Sequence, residues 1–222
     1  MVESKAWEWK ALDNKAEEYW REPSIESYYL LNKWNKAGFK NFLDLGCGLG
    51  RHSILFALNG FNVKAFDLSK DAIISTKEWA ESLNLEMDYK EGDMLELPYH
   101  NEEFECMYCK NVISHTDTIG IKKIIEEIKR VLKTGGECYL TLCSKETWGF
   151  KQEDWPLADE NTRIRMDDGP EKGIPHFYAD YNIITELFKD FEIQLVQHIQ
   201  DFYESNGKVN NSYHYHVLVK KI

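Results

Sequence analysis

Phe42-Leu43-Asp44-Leu45-Gly46-Cys47-Gly48-Leu49-Gly50-Arg51-His52 is the stretch from which the rest of the chain can be read. An apolar, strand-like run gives way to three glycines at alternate positions, and a helical pattern over 51–59 follows at once. A chain that turns sharply from strand to helix while its backbone approaches a ligand needs glycine for both tasks. The spacing is G-x-G-x-G. The dinucleotide pattern G-x-G-x-x-G would place a glycine where Arg51 stands, which disfavours a dinucleotide oxidoreductase.

Acids end the next two strand-like runs. Asp67 follows Phe61-Asn-Val-Lys-Ala-Phe66, where a carboxylate can hold two ribose hydroxyls. Asp93, in Glu91-Gly92-Asp93-Met94-Leu95, follows a weak strand over 87–89 and can accept a hydrogen bond from an adenine amino group. Between these runs, Ala72, Ile73, Thr76, Trp79, Ala80 and Leu83 recur at helical spacing, with Ser69 placed to cap the helix. A strand over 104–109 precedes an amphipathic helix through Ile121, Ile124, Ile125, Ile128, Val131 and Leu132. Gly135-Gly136 stops that helix, and Glu137 to Cys143 form another strand. Such alternation predicts an α/β fold, a doubly wound parallel sheet with helices on both faces. The runs 191–203 and 213–220 flank a polar turn at Ser205-Asn206-Gly207-Lys208 and predict an antiparallel hairpin.

The pattern divides one domain of 222 residues into four segments. Residues 1–40 read as an aromatic-rich helical cap, 41–144 as the cofactor-binding core, 145–180 as a long aperiodic insertion with the character of a lid, and 181–222 as a helix and hairpin. Six of the seven tryptophans (Trp7, Trp9, Trp20, Trp34, Trp148, Trp155) fall in the first and third segments. They serve either to pack these segments together or to wall a pocket over the carboxyl edge of the sheet.

In these motifs the chain resembles the class I S-adenosylmethionine-dependent methyltransferases, particularly the small-molecule branch, over roughly residues 40–144. The resemblance implies a Rossmann-like, seven-stranded, mostly parallel sheet with an antiparallel last strand, S-adenosylmethionine as cofactor and S-adenosylhomocysteine as product. Asp44-Leu-Gly46-Cys47-Gly48-Leu-Gly50 matches the family's first motif. Asp67, with Leu68 beside it, matches the ribose acid. Asp93 matches the adenine-contacting acid, with Met94 and Leu95 flanking the ring. Lys110 and Asn111 match the positions whose backbone meets the methionine moiety. The family's Leu-Lys-Pro-Gly-Gly turn stands here as Leu132-Lys-Thr134-Gly135-Gly136. The amine-methylating Asn/Asp-Pro-Pro-Tyr/Phe motif is missing, its place taken by Asn111-Val-Ile-Ser-His115.

A base is needed if the methyl acceptor carries a proton, and imidazole suits that task near neutral pH. His115, facing the methyl by resemblance, His176 at the end of the insertion, and His214 and His216 on the last strand are the catalytic candidates. His214 and His216 share a strand face. If the hairpin brings His198 beside them, the three form a candidate metal set. Arg163 and Arg165 either hold a carboxylate substrate or pair with Asp167 and Asp168.

Composition narrows the partners. Twenty-seven Lys and Arg against 38 Asp and Glu give a net charge of −11, a poor match for a nucleic-acid backbone. The beginning lacks the apolar block of a signal peptide, and no apolar run approaches the length of a membrane span. Five cysteines, mostly in apolar runs, suit free thiols of a reducing compartment. The expectation is a cytoplasmic methyltransferase acting on a small molecule, without nucleic-acid or membrane partners. The alternatives are an RNA or protein methyltransferase and a non-catalytic S-adenosylmethionine-binding protein.

Overall fold

The computed structural model describes all residues except Met1, Glu3, Lys10, Ala11, Asp13, Pro170, Asn206 and Gly207. At its centre lies β1 (Asn41–Leu45), parallel to β2 (Asn62–Asp67) on one side and β4 (Phe104–Cys109) on the other. β3 (Asp88–Glu91) extends the sheet beyond β2, and β5 (Leu132–Ser144) extends it beyond β4. β9 (Phe191–Ser205) and β10 (Lys208–Lys221) form the hairpin, and β10 runs antiparallel to both β5 and β9. These seven strands take the order β3-β2-β1-β4-β5-β10-β9. Asn206 and Gly207 of the expected turn lie outside the described residues.

Alternation along each strand divides the core in two. Leu43, Met107, Cys109 and Leu140 point to the face covered by α5 (Thr118–Val131) and α6 (Tyr181–Leu187), where Ile121, Ile124, Ile128 and Ile184 are buried. Phe42, Cys106, Tyr108 and Tyr139 point to the opposite face, against α2 (Ile25–Lys36) and α3 (Arg51–Leu58). Cys106 and Cys109 therefore sit on opposite sides of the sheet and form no pair. On the second face Trp34 is wholly buried against Phe42 and Phe56, and its indole N–H donates to Glu137 Oε2 at 2.8 Å. α4 (Lys70–Ser82) packs beside α3, its first turn closed by Ala72 N donating to Ser69 Oγ.

Four expectations need correction. The sheet has ten strands rather than seven, because the 145–180 insertion is not irregular. It carries β6 (Leu157–Asp159), β7 (Thr162–Ile164) and β8 (Pro175–Ala179), with β8 joined to β5 through Cys143 and Ser144. Strands this short leave little periodicity to read. Among the described residues of the N-terminal segment, the first α-helix is α1 (Asn14–Arg21). The third strand lies over 88–91 rather than 87–89. Finally, α5 ends at Val131, and Gly135-Gly136 lie inside β5 rather than at its start. There the β4–β5 register shifts, and a Cβ on Gly136 would come within 2.9 Å of the Glu105 carbonyl oxygen.

Candidate functional site

A cavity of about 690 Å³ opens where β1, β2, β4 and β5 end, the position at which open α/β sheets bind ligands. One half is built by the glycine loop. Gly46 N and Cys47 N both donate to the Phe66 carbonyl, at 2.7 and 3.0 Å, which fastens the loop to the end of β2. Gly46 has φ +76°, and a Cβ there would come within 2.4 Å of Val112, so only glycine fits. A Cβ on Gly48 would come within 2.7 Å of the Trp9 ring. Asp67 faces this loop. Its Oδ2 accepts from Gly48 N at 2.9 Å and its Oδ1 from Ser69 N at 2.8 Å, leaving each oxygen a further lone pair. Burial pushes this carboxyl above its ordinary range.

Gly46, Cys47, Gly48, Asp67, Leu68, Asp93, Met94, Leu95, Lys110 and Asn111 all line the cavity. Asp93 Oδ1 accepts from Leu95 N at 2.9 Å, which orders the turn after β3. Lys110 is held by Glu26 at 2.9 Å. Asn111, at φ +60°, donates its backbone N–H to Thr141 Oγ1. Asp44 is different. It does not reach the cavity lining but lies buried behind the loop, accepting the Ser53 hydroxyl at 2.6 Å, and burial raises its carboxyl to about 6.

That shift has a sign. A buried acid that binds its proton more tightly folded than unfolded loses stability as pH rises between its unfolded and folded values. Relative to Asp44→Asn, the wild type is expected to lose on the order of 2 kcal/mol between pH 4 and pH 6. Paired denaturant titrations across that window check it, and a pH-independent difference would refute the assignment.

The other half of the cavity gathers residues remote in sequence. His115, from the loop before α5, and His176, on β8, meet with ring centroids 4.8 Å apart. Glu171 lies between them, 3.6 Å from each Nε2. His214 also lines the cavity, its imidazole pushed down to about 4 by burial. Trp148, Trp155 and Tyr178 wall this end, while Trp7, Trp9 and Trp20 pack edge to face over the glycine loop. Of the six tryptophans, Trp34 alone belongs to the core instead. Arg163 donates to the Phe150 and Trp155 carbonyls and Arg165 grips Asp167 and Glu171, so neither waits for a carboxylate ligand.

The expected histidine set of the hairpin does not form. His198 stands opposite Tyr215 in the β9–β10 register, so it faces the other side of the ribbon from His214 and His216. It stacks on Tyr215 at 4.4 Å, with Nε2 2.9 Å from Ser144 Oγ. His216 lies below the cavity, its Nδ1 2.5 Å from Tyr139 Oη and 3.5 Å from Glu26. Among the described residues the one His/Cys/Asp/Glu group able to converge on an ion is His115, Glu171 and His176. Glu171 was missed by sequence reasoning. It sits in a charged, aperiodic loop, and nothing at its position marks it.

Residues 42–136 match the family described as a methyltransferase domain. The solved structure of an S-adenosylmethionine-dependent methyltransferase from Methanosarcina mazei superposes with a TM-score of 0.68 at 23% identity, covering 83% of this chain and 93% of that one. Residues 42–136 carry a methyltransferase domain, on the fold of these solved methyltransferases. Magnesium protoporphyrin IX methyltransferase from Synechocystis, solved with bound S-adenosylmethionine, shares the fold at a TM-score of 0.59 and 13% identity, covering 89% of this chain and 78% of that one. The ubiquinone biosynthesis O-methyltransferase of Actinobacillus pleuropneumoniae is 27% identical over 123 residues, 53% of this chain and 51% of that protein. The chain thus spans about half the length of such curated relatives. S-adenosylmethionine, named for the Methanosarcina mazei and Synechocystis proteins, is a group that this cavity suits. Asp67, a buried carboxylate with spare lone pairs, stands where the resemblance puts the ribose acid. The Trp7 and Trp9 indole N–H groups lining the cavity are buried without a partner among the described residues.

Proposed function

We propose that the chain transfers a methyl group to a small molecule seated between the His115–Glu171–His176 cluster and the Trp148, Trp155 and Tyr178 walls. The observation that carries this reading is the continuity of the cavity. A single space runs from Asp67, the ribose acid, to the histidine cluster. The bound cofactor supplies a methyl made electrophilic by a sulfonium. The chain's residues then have three tasks: to align an acceptor in line with that methyl, to exclude water, and to take a proton if the acceptor carries one. The aromatic walls do the first two for a flat or apolar molecule.

His115 and His214 are the imidazoles placed for the third task, both on the cavity surface. Residues 145–180, together with Lys5, Trp7 and Trp9, would select the acceptor. Lys5 reaches the insertion, where its Nζ donates to the Lys172 carbonyl at 2.8 Å. The O-methyltransferase names of the ubiquinone-pathway relatives favour an oxygen acceptor. The net charge of −11 favours a small molecule over a nucleic acid. No helix among the described residues is long and apolar enough to cross a membrane.

The test is a screen of phenolic, enolic, thiol and amine acceptors with cofactor labelled on the methyl carbon. Label appearing in a low-molecular-weight product supports the reading. Tight S-adenosylhomocysteine binding with label transferred only to RNA or protein overturns it, and binding without any transfer leaves a cofactor-binding protein.

A further inference from the structure

Three side chains on the acceptor side of the cavity have a geometry that hydrogen bonding leaves unexplained. His115 Nε2 lies 3.6 Å from Glu171 Oε1, and His176 Nε2 lies 3.6 Å from Glu171 Oε2. These separations exceed an N–H···O hydrogen bond. They are close to the roughly 3.4 Å that separates two ligand atoms each about 2.0–2.2 Å from one tetrahedral ion. All three ligand atoms fall within 4.8 Å of one another.

The orientation of His176 sharpens the point. Its Nδ1 is 3.1 Å from the Ile174 carbonyl oxygen, which can only accept, so Nδ1 carries the hydrogen. In the neutral ring Nε2 then presents a lone pair to the Glu171 carboxylate, acceptor against acceptor, and a cation between them resolves the conflict. A ring held through its far nitrogen by a backbone carbonyl is also how metal-bound histidines are oriented. Charge points the same way. Arg165 sets one guanidinium against two carboxylates, Asp167 and Glu171, which leaves the cluster net negative before any ion is bound.

We infer that His115, Glu171 and His176 form a three-ligand site for a divalent first-row metal ion, with its open coordination position facing the cavity. Two imidazoles and one carboxylate are the donor set of zinc sites that keep a place for water or substrate. All three residues line the cavity, so a hydroxyl or thiol of a bound molecule could take that place and lose its proton to water more readily. The metal site does not rest on the transfer reading, because it requires only these three side chains; with an ion bound, His115 is a ligand and His214 is the imidazole left to take a proton.

The test uses chelator-stripped full-length protein titrated calorimetrically with zinc sulfate, and then with cobalt(II), whose visible absorption reports coordination. One ion per chain is expected. His115→Ala and Glu171→Gln should each weaken binding by at least about 100-fold, more than the loss of an outer hydrogen bond costs. His198→Asn, on the other face of the hairpin, should bind as the wild type does. A parallel titration with S-adenosylhomocysteine shows whether each variant is folded and keeps the two readings separable. No saturable metal uptake by protein that still binds S-adenosylhomocysteine overturns the site alone, as does uptake that survives both ligand substitutions.

Discussion

Asp67→Ala is expected to weaken S-adenosylhomocysteine binding by about 3 kcal/mol, a loss of roughly 150-fold in affinity. Two ribose hydroxyls bonded to one carboxylate contribute about 1.5 kcal/mol each at the low end of the range for charged acceptors. The substitution also removes the acceptor for Gly48 N and Ser69 N, both of which hold the cofactor half of the cavity in shape. Calorimetric titration measures the change, and Asp67→Asn, which keeps an acceptor oxygen, should lose less. Affinity unchanged in Asp67→Ala would remove this carboxylate from the cofactor site.

The largest expected effect on stability lies elsewhere. Trp34→Ala should lower the unfolding free energy by about 3–5 kcal/mol, as large aromatic truncations in close-packed cores do. The indole is wholly buried, with Phe42 and Phe56 tilted against it at ring-centroid distances of 6.1 and 5.6 Å. Its removal leaves a cavity and takes one donor from the buried Glu137 carboxylate, which then keeps only Lys33 of these two partners. Urea titration checks the prediction. Trp34→Phe, which refills most of the space but not the hydrogen bond, should fall between. A cost under about 1 kcal/mol for the alanine variant would mean that the core relaxes around the gap.

The glycine-loop half of the cavity was legible because its parts lie at the ends of consecutive strands. Gly46, Asp67 and Asp93 each follow an apolar run, and a parallel sheet brings such ends to one edge whatever the loops between them do. The acceptor half was less legible. His176 reaches His115 only because β8 adds to the far end of β5 through Cys143 and Ser144, a junction too brief to leave a pattern. Glu171 stands in a loop whose charges look like any solvated stretch. The Trp9 ring over Gly48 is a contact that no local spacing encodes. His198 was misplaced for a sharper reason. On a hairpin the register decides which face a residue takes, and a slip of one position exchanges the faces. The sequence shows that His214 and His216 share a face but not which residue of β9 stands opposite the position between them. His198 does, across from Tyr215.

The place of β10 in the sheet bears on how the protein is made. β5 runs through the middle of the molecule, with Cys138, Leu140 and Leu142 buried on one face and Tyr139 on the other, yet most of its length is paired on that side only by residues 214–220. During synthesis, everything up to the insertion leaves the ribosome while this apolar strand still has a bare edge, and the strand that covers it follows only after the insertion and β9. An uncovered edge of that kind is open to pairing with another nascent chain. Expression at low temperature or with a holding chaperone should therefore raise the soluble yield more than it does for a protein whose central strands are covered by their neighbours in sequence.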